Sequence, residues 1–126
     1  MHAVDTNLLL RLIVRDDAKQ VDAAEALVVK GAWVSHLVLA ETLWVLDAVY
    51  HRSPAQIANA IDRMLNRKEL ALQDAAVVAL ALNHYRSRPS LDFSDCLVLE
   101  IARKAGHLPL GTFDRNLARL DGTHRL

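Results

Sequence analysis

The sequence is poor in the residues that characterise disulfide-bonded or linker-rich proteins. Its 126 residues include one cysteine, four glycines and three prolines. A lone cysteine excludes an internal disulfide and suits a reducing compartment, so we expect a cytoplasmic protein. Little glycine or proline leaves little room for linkers, and a hydrophobic content of 52% can build a substantial core. We therefore expect one domain over residues 1–126.

The chain also lacks an excess of charge of either sign. Fifteen basic and fifteen acidic residues give a formal net charge of zero, and no run of lysine or arginine indicates a polyanion-binding tail. Any contact with a nucleic acid must therefore come from local patches. The apolar N-terminal stretch is interrupted by Asp5 and Arg11, and no small-residue cleavage site follows it. We expect neither a signal peptide nor a membrane span.

Several common catalytic motifs are missing as well. There is no Walker loop and no GxGxxG. Six histidines are scattered without HExxH or similar spacing, which argues against a zinc site. Cys96 has no base near it in the sequence and is interpreted as a small helix residue. Trp33 and Trp44 are more typical of a core or an interface than of ligand stacking.

The apolar periodicity indicates short strands that alternate with helices. We predict strands at 3–4, 32–34, 70–72 and 108–110, and a last strand near 124–126. The first predicted helix follows the first strand and ends near residue 13. Further helices are predicted over about 17–30, 37–50, 54–67, 74–88, 92–105 and 114–120. Short strands separated by one or two helices favour an α/β fold with a parallel sheet covered on both faces. In such sheets the functional site lies just beyond the carboxyl ends of the strands.

Acidic residues occur where this fold would place a site. Asp5 directly follows the first strand, although it could equally cap a helix. Glu41 lies in the helix LVLAETLWVLDAVY, which is apolar on nearly every side, so we expect this helix to be largely buried. An ionised carboxylate there is costly without a positive partner. Asp114 follows the last clear strand, and it could also be a cap or the partner of Arg115. Asp74 follows the strand at 70–72, and it too could be a site residue or only the cap of the next helix.

The stretch LDFSDCLVL places two acids three positions apart at the head of an apolar helix. With Asp92 as the N-cap, Asp95 takes the third helical position, as in a variant of the capping box. Glu100, Arg103 and Lys104 define the predicted wet face of this helix. Asp95 lies on the predicted buried side. We therefore expect Asp92 to cap the helix and Asp95 to point inward, next to the strand ends.

Such carboxylates predict a metal ion. Gathered within a few ångströms, they could not all stay ionised without a counter-charge. A hard divalent cation with oxygen ligands is the natural counter-charge, and Mg²⁺ or Mn²⁺ is the leading candidate. Such a cation can polarise a phosphodiester and activate a water, a chemistry that needs no histidine, cysteine or serine nucleophile.

Four segments together resemble the PIN-domain ribonucleases, most of all the VapC-type toxins of bacterial toxin–antitoxin pairs. They are VDTNLLLRL, SHLVLAETLWVL, LDFSDCLVLEIARKAG and GTFDRNLARL, and they cover nearly the whole chain in order and at family-like spacing. The acidic set of the family falls on Asp5, Glu41, Asp95 and Asp114, and its supporting polar positions fall on Thr6, Asn7 and Thr112. Asp74 and Asp92 fall outside this set.

The resemblance implies a three-layer α/β/α fold with a short central parallel sheet, and a homodimer. It implies cleavage of a specific RNA, often a tRNA, by a water activated with Mg²⁺ or Mn²⁺. It also implies a cognate antitoxin with a segment that lies across the active-site groove. We expect no membrane partner.

The resemblance also implies roles for individual residues. Asp5 and Asp95 would be the firmest metal ligands, and Glu41 and Asp114 would complete the set directly or through water. Glu41 is the best candidate to orient the attacking water. Thr6, Asn7 and Thr112 would support carboxylates and waters, and Arg115 would contact a phosphate.

Three other interpretations stay open. A haloacid-dehalogenase-type phosphatase also begins with a strand-end aspartate, but the position two residues further on is Asn7 rather than a second aspartate. A receiver domain needs an aspartate at the end of its third strand. Asp74 could be that aspartate, but Glu41 would then be unexplained. The third is a non-catalytic PIN-like scaffold that only binds RNA or protein, against which the four intact acids argue.

Overall fold

Five short strands and six α-helices alternate along the chain. The computed structural model describes residues 1–126, and their contacts group into two compact units, Met1–Ala75 and Ala76–Leu126. The first unit contains β1 His2–Ala3, α1 Thr6–Val14, α2 Ala18–Val28, β2 Ala32–Val34, α3 His36–Ala48, α4 Pro54–Asn66 and β3 Leu70–Leu72. Helix α5 Ala75–Ser87 begins at the boundary, and α6 Phe93–Ala105, β4 Leu110–Thr112, a 3₁₀ turn Leu117–Arg119 and β5 Thr123–Arg125 follow. The single domain over 1–126 stays a prediction.

All strand pairs are parallel, which confirms the predicted α/β class. In the first unit the strand order is β1–β2–β3, with Ala3 opposite Trp33 and Trp33 opposite Ala71. In the second unit β4 pairs with β5. Parallel neighbours cannot be joined by a tight hairpin, so helical segments must connect them. The strands that were predicted as one sheet are hydrogen-bonded as two sets, one in each unit.

The core of the first unit forms around α1. This helix packs against α2 and α3 and buries Leu9, Leu10 and Leu12. Helix α4 has a clear apolar face, which includes Ile57 and Ile61, and it contacts β3. These contacts fix the start of α1, and therefore the position of the residue just after β1.

An ion-pair network joins three helix ends of the first unit. Glu25 on α2 accepts a hydrogen bond from Arg15, the C-cap of α1, at 2.9 Å and one from Arg67, the C-cap of α4, at 2.6 Å. The bond from Arg67 first, and that from Arg15 second, hold the pKa of Glu25 below its usual value. This carboxylate therefore stabilises the fold at neutral pH, and the stabilisation is lost as the pH falls through the lowered pKa.

The second unit contains a buried carboxylate, Glu100, that was predicted to lie on the solvent-exposed face of its helix. Glu100 on α6 is only 3% exposed, so its assignment to the wet face was wrong. His84 Nε2 lies 3.0 Å from one of its carboxylate oxygens, and Arg103 Nε lies 3.2 Å from the other. Because both oxygens have a partner, the carboxylate can leave water without an unpaired charge.

This network rotates the buried face of α6 relative to the prediction. Cys96 and Leu97 are buried together with Glu100, whereas Val98 is exposed. Asp95 lies at the margin of the buried face and is half-buried. The helical wheel counted Glu100 as polar and therefore misplaced the face by part of a turn.

Helix α3 is less buried than its composition predicted. It buries Leu39, Thr42, Leu43 and Leu46, but Leu37 is 74% exposed and Trp44 is 67% exposed. A helix that is apolar on every side carries no periodic signal to show which face enters the core. The face shared by Leu37, Glu41 and Trp44 therefore lies outside. Neither α3 nor any other helix is long and apolar enough to cross a membrane.

The predicted helix caps are only partly present. Ser53 and Gln56 form a complete capping box at the start of α4, where the helix was predicted to begin. Asp92 occupies the N-cap position of α6, but its side chain makes no capping hydrogen bond, so its predicted role as a side-chain cap was wrong. Asp74, predicted to cap α5, has a φ of 44°, whereas a capping residue usually has an extended backbone.

The two cap positions should respond differently to alanine. Ser53→Ala removes the side-chain acceptor of the capping box and should lower the free energy of unfolding by about 1 kcal/mol. Asp92→Ala removes no capping bond and should change it by less than about 0.5 kcal/mol. Urea unfolding of both variants beside wild type measures the difference. A loss in Asp92→Ala as large as that in Ser53→Ala would contradict the cap assignment.

Candidate functional site

Asp5 sits where the first strand passes into the first helix. Val4 is buried and its N–H donates to the Trp33 carbonyl at 3.0 Å, so the sheet continues up to this residue. Asp5 is the N-cap of α1, and its Oδ1 accepts a hydrogen bond from the Leu8 N–H at 3.0 Å. Its side chain is exposed. The capping role and the ligand role are therefore compatible, because capping occupies only one of the two carboxylate oxygens.

A short hydrogen bond joins the start of α1 to α3. Thr6 Oγ1 donates to Glu41 Oε1 at 2.5 Å. Glu41 is exposed rather than buried, so it needs no cation to offset desolvation, contrary to the expectation from the apolar helix around it. The bond instead orients a solvent-facing carboxylate. The structure thus brings together Glu41 and Thr6, two of the residues that the sequence interpretation selected.

Asn7 lies in a different environment from Thr6. It lines a shallow groove between α1 and α2 with Leu8, Arg11 and Leu27 among its neighbours. No side-chain hydrogen bond of Asn7 to another residue is present. Successive helix positions point in directions about 100° apart, and this explains why Thr6 faces α3 while Asn7 faces α2.

Asp95 is an electrostatically strained carboxylate of the second unit. It lies in the first turn of α6 and is half-buried. Burial raises its pKa above the usual value, and the negative charges of Asp92 and Asp114 raise it further. The sequence interpretation placed Asp92 outside the acidic set. Asp92 is nevertheless placed so that its negative charge helps to raise the pKa of Asp95.

Asp114 is held in place by its own loop. Its Oδ1 accepts hydrogen bonds from the N–H groups of Asn116 at 2.7 Å and Leu117 at 3.2 Å, and its own N–H donates to Thr112 Oγ1 at 3.0 Å. Thr112 ends β4, and its hydroxyl contacts the backbone of Asp114 rather than the carboxylate, so the predicted role of Thr112 in holding carboxylates and waters stays a prediction. As with Asp5, one carboxylate oxygen is used for local structure and the other has no hydrogen-bond partner.

Asn116 and Ser90, which the sequence interpretation did not select, also hold the Asp114 loop in place. Asn116 Nδ2 donates to Ser90 Oγ at 2.9 Å, which ties the Asp114 loop to the segment that leads into α6. An aspartate followed two positions later by asparagine is a turn signal that could have indicated the loop. No local pattern indicates the long-range bond to Ser90.

The charge around these residues suits a hard cation. None of Asp5, Glu41, Asp95 and Asp114 forms an ion pair with a lysine or arginine, and Arg115 is exposed without an acidic partner. Carboxylates are the ligands that Mg²⁺ and Mn²⁺ prefer. The chemistry of the donors therefore fits such an ion. No three or more His, Cys, Asp or Glu side chains are arranged as a ready metal-binding group.

Comparison with protein families identifies the class of the chain. A PIN domain matches residues 3–123, so the chain belongs to the PIN domain family. PIN domains are in general metal-dependent nucleases. The match includes both parts of the predicted acidic set, Asp5 and Glu41 in the first unit and Asp95 and Asp114 in the second. Comparisons with curated proteins and with solved structures gave no significant match.

Removing the charge of Asp95 should stabilise the metal-free protein. Asp95→Asn keeps the shape of the side chain but removes a charge that burial, Asp92 and Asp114 disfavour. We expect a higher melting temperature than wild type at neutral pH in EDTA. Because the raised pKa means that the folded protein takes up this proton first, the difference should shrink as the pH falls through that pKa.

The matched control is Asp22→Asn. Asp22 is exposed on α2 and forms no ion pair, so its loss should leave the melting temperature nearly unchanged. A melting temperature of Asp95→Asn below that of wild type at neutral pH would show that the Asp95 charge is stabilising, and would contradict the repulsion.

Proposed function

We propose that this protein is a metal-dependent endoribonuclease and the toxin of a toxin–antitoxin pair. The observation that carries the proposal is the PIN-domain match over residues 3–123, which includes Asp5, Glu41, Asp95 and Asp114, and the negative charge of Asp92 and Asp114 around Asp95 agrees with it. In a family of nucleases that typically use a divalent metal, this excess of negative charge supports a cation site. The toxin role rests on the resemblance of the four sequence segments to VapC-type proteins.

The proposed ligands are Asp5, Glu41, Asp95 and Asp114. Asp5 and Asp95 would bind Mg²⁺ or Mn²⁺ most directly, and Glu41 and Asp114 would complete the set directly or through water. When bound, such an ion polarises a phosphodiester and lowers the pKa of a coordinated water. The exposed carboxylates leave room for a substrate as large as RNA.

The chain's own residues would position the attacking water and the phosphate. The hydrogen bond from Thr6 fixes one oxygen of Glu41, and the other oxygen can accept a proton or a hydrogen bond from water. Thr112 fixes the backbone of Asp114. Arg115, exposed and without an acidic partner, is the proposed contact to a phosphate of the RNA backbone.

A covalent mechanism finds no support in the chain. Cys96 is fully buried, and burial first, followed by the charge of Asp95, raises its pKa to about 11. The thiolate is the nucleophilic form of cysteine, so this residue is unreactive at neutral pH. Hydrolysis by a positioned water is therefore the mechanism that we propose.

RNA cleavage should require a divalent metal and the acidic set. Purified protein, free of any antitoxin, should cleave RNA in the presence of Mn²⁺ or Mg²⁺, and EDTA should stop it. Because the carboxylate charges would hold the ion, Asp95→Asn and Asp5→Asn should lose cleavage while Asp22→Asn keeps it. Gel analysis of a mixed RNA pool measures the outcome. Cleavage by a clean preparation that resists EDTA would refute the metal mechanism.

A binding measurement separates loss of metal from loss of catalysis in the same variants. A cation that binds only the folded state at a hundred times its Kd adds about 2.7 kcal/mol to stability. Mn²⁺ should therefore raise the melting temperature of wild type and of Asp22→Asn, and raise that of Asp5→Asn and Asp95→Asn much less. An equal rise in Asp5→Asn would remove Asp5 from the ligand set.

We also propose that the protein forms a homodimer and that an antitoxin is a second partner, which covers the exposed face of α3 beside Glu41. Leu37 and Trp44 lie on this face, with exposures of 74% and 67%. Exposed apolar surface of this kind is unfavourable in water and typical of protein–protein contacts. A small reading frame beside the gene, encoding a DNA-binding N-terminus, would support the antitoxin.

The charge variant Trp44→Glu should weaken antitoxin binding. Wild type should sediment as at least a dimer at micromolar concentration and should bind the product of the neighbouring gene, and Trp44→Glu should bind that product much more weakly, because burying the new charge is unfavourable. Val29→Glu, at another exposed apolar position, should behave as wild type. A wild-type protein that is strictly monomeric would refute the dimer.

A further inference from the structure

The side chain of Phe113 is the most exposed large apolar side chain of the protein, at 81%. It lies between Thr112, the last residue of β4, and Asp114. A lone exposed apolar residue is ordinary on a protein surface. This residue differs because both of its neighbours belong to the acidic site, and because an aromatic ring offers a flat face as well as apolar area.

The backbone on both sides of the ring is fixed. Thr112 is paired with Arg125 on β5, and its carbonyl accepts a hydrogen bond from the Leu126 N–H at 2.9 Å. After the ring, the carboxylate of Asp114 accepts the two N–H bonds that close the next turn. The exposure of Phe113 is thus a feature of an anchored turn. A ring carried by a fixed backbone can bind a planar partner without the loop first losing conformational freedom.

Two side chains of this turn suit two parts of a nucleotide, the ring of Phe113 the base and the guanidinium of Arg115 the phosphate. Phe113 presents an aromatic face, Asp114 presents a carboxylate, and Arg115 presents a guanidinium without an acidic partner. Single-stranded RNA carries an exposed base face and a phosphate in each nucleotide, and proteins bind them with aromatic rings and with arginine respectively.

We propose that Phe113 stacks on a base of the RNA substrate next to the bond that is cleaved. The proposal rests on the nuclease function proposed above and adds a residue that positions the substrate. It requires an unpaired base, because only a base outside a duplex exposes its face to the ring. Phe113 would then fix which nucleotide lies beside Asp114, and Arg115 would hold the adjoining phosphate.

The test measures binding without catalysis. A fluorescein-labelled single-stranded RNA of twelve nucleotides is titrated with protein in EDTA, and its anisotropy gives the Kd. Stacking on an aromatic side chain predicts that Phe113→Ala binds about 5- to 150-fold more weakly. Phe113→Trp should retain the wild-type Kd, and Phe113→Leu, which keeps apolar area without an aromatic face, should bind as weakly as Phe113→Ala. Because the ring is exposed, all three variants should keep the wild-type melting temperature.

A set of RNAs, each with one abasic position, locates the contact. If the ring stacks on one base, removing that base should weaken wild type and should leave Phe113→Ala unchanged. Base removal elsewhere should weaken both proteins equally. Val29→Ala, which removes another exposed apolar side chain, is the control that should bind as wild type does.

The outcomes separate this inference from the proposed function. If wild type binds and cleaves RNA and Phe113→Ala does so with the same Kd and rate, the stacking role is refuted and the nuclease stands. If Phe113→Ala binds weakly but responds to every abasic position as wild type does, stacking is also refuted. If wild type neither binds nor cleaves any RNA, the nuclease proposal fails first. If Phe113→Ala changes only the sedimentation of the protein, the ring belongs to a protein interface and the inference is wrong.

Discussion

Parallel pairing of very short strands is the constraint on which the rest of this protein depends. A strand of two or three residues contributes few hydrogen bonds, so the helices around it must supply most of the buried apolar area. Each parallel neighbour also requires a helical connection. More than half of the residues of the chain therefore lie in helices. The places where strands pass into helices become the few points at which polar side chains are both exposed and firmly held. Asp5 and Asp114 occupy such points.

Negative charge is distributed in two opposite ways in this chain. Glu25 and Glu100 are surrounded by arginine and histidine partners, and they join elements of the fold. Asp95 has acidic neighbours instead, and its charge opposes folding of the metal-free protein. A sequence selected for stability alone would not keep that repulsion, since one amide substitution relieves it. The contrast between compensated and uncompensated carboxylates is thus the clearest physical sign of function.

Local signals made some features predictable from the sequence and left others out of reach. Strands β2 and β3 were predicted at the positions where they lie, because each is a short apolar run between turn residues. The capping box at Ser53 was also predictable, since all of its partners lie within four positions. The exposed face of α3 was not, because an all-apolar helix does not reveal its orientation. The burial of Glu100 depends on His84, sixteen positions earlier, and no periodic pattern within α6 reports such a partner. In the candidate site, the acids and the polar residues near them could be selected from the sequence, whereas the long-range bonds from Thr6 to Glu41 and from Asn116 to Ser90 have no local sequence signal.

The buried carboxylate of Glu100 and its partners His84 and Arg103 have a consequence for the evolution of this chain. The loss of one partner would leave Glu100 with fewer hydrogen bonds away from water, and the loss of both would leave its charge unpaired. Asp95 lies five positions earlier on the same helix, and no basic side chain of the fold depends on its charge. A descendant released from selection for cleavage would be free to replace Asp95 early, but it would retain Glu100 with both partners or exchange all three together. Inactive relatives would therefore be recognisable by an intact Glu100 with its partners His84 and Arg103 beside an altered acidic set.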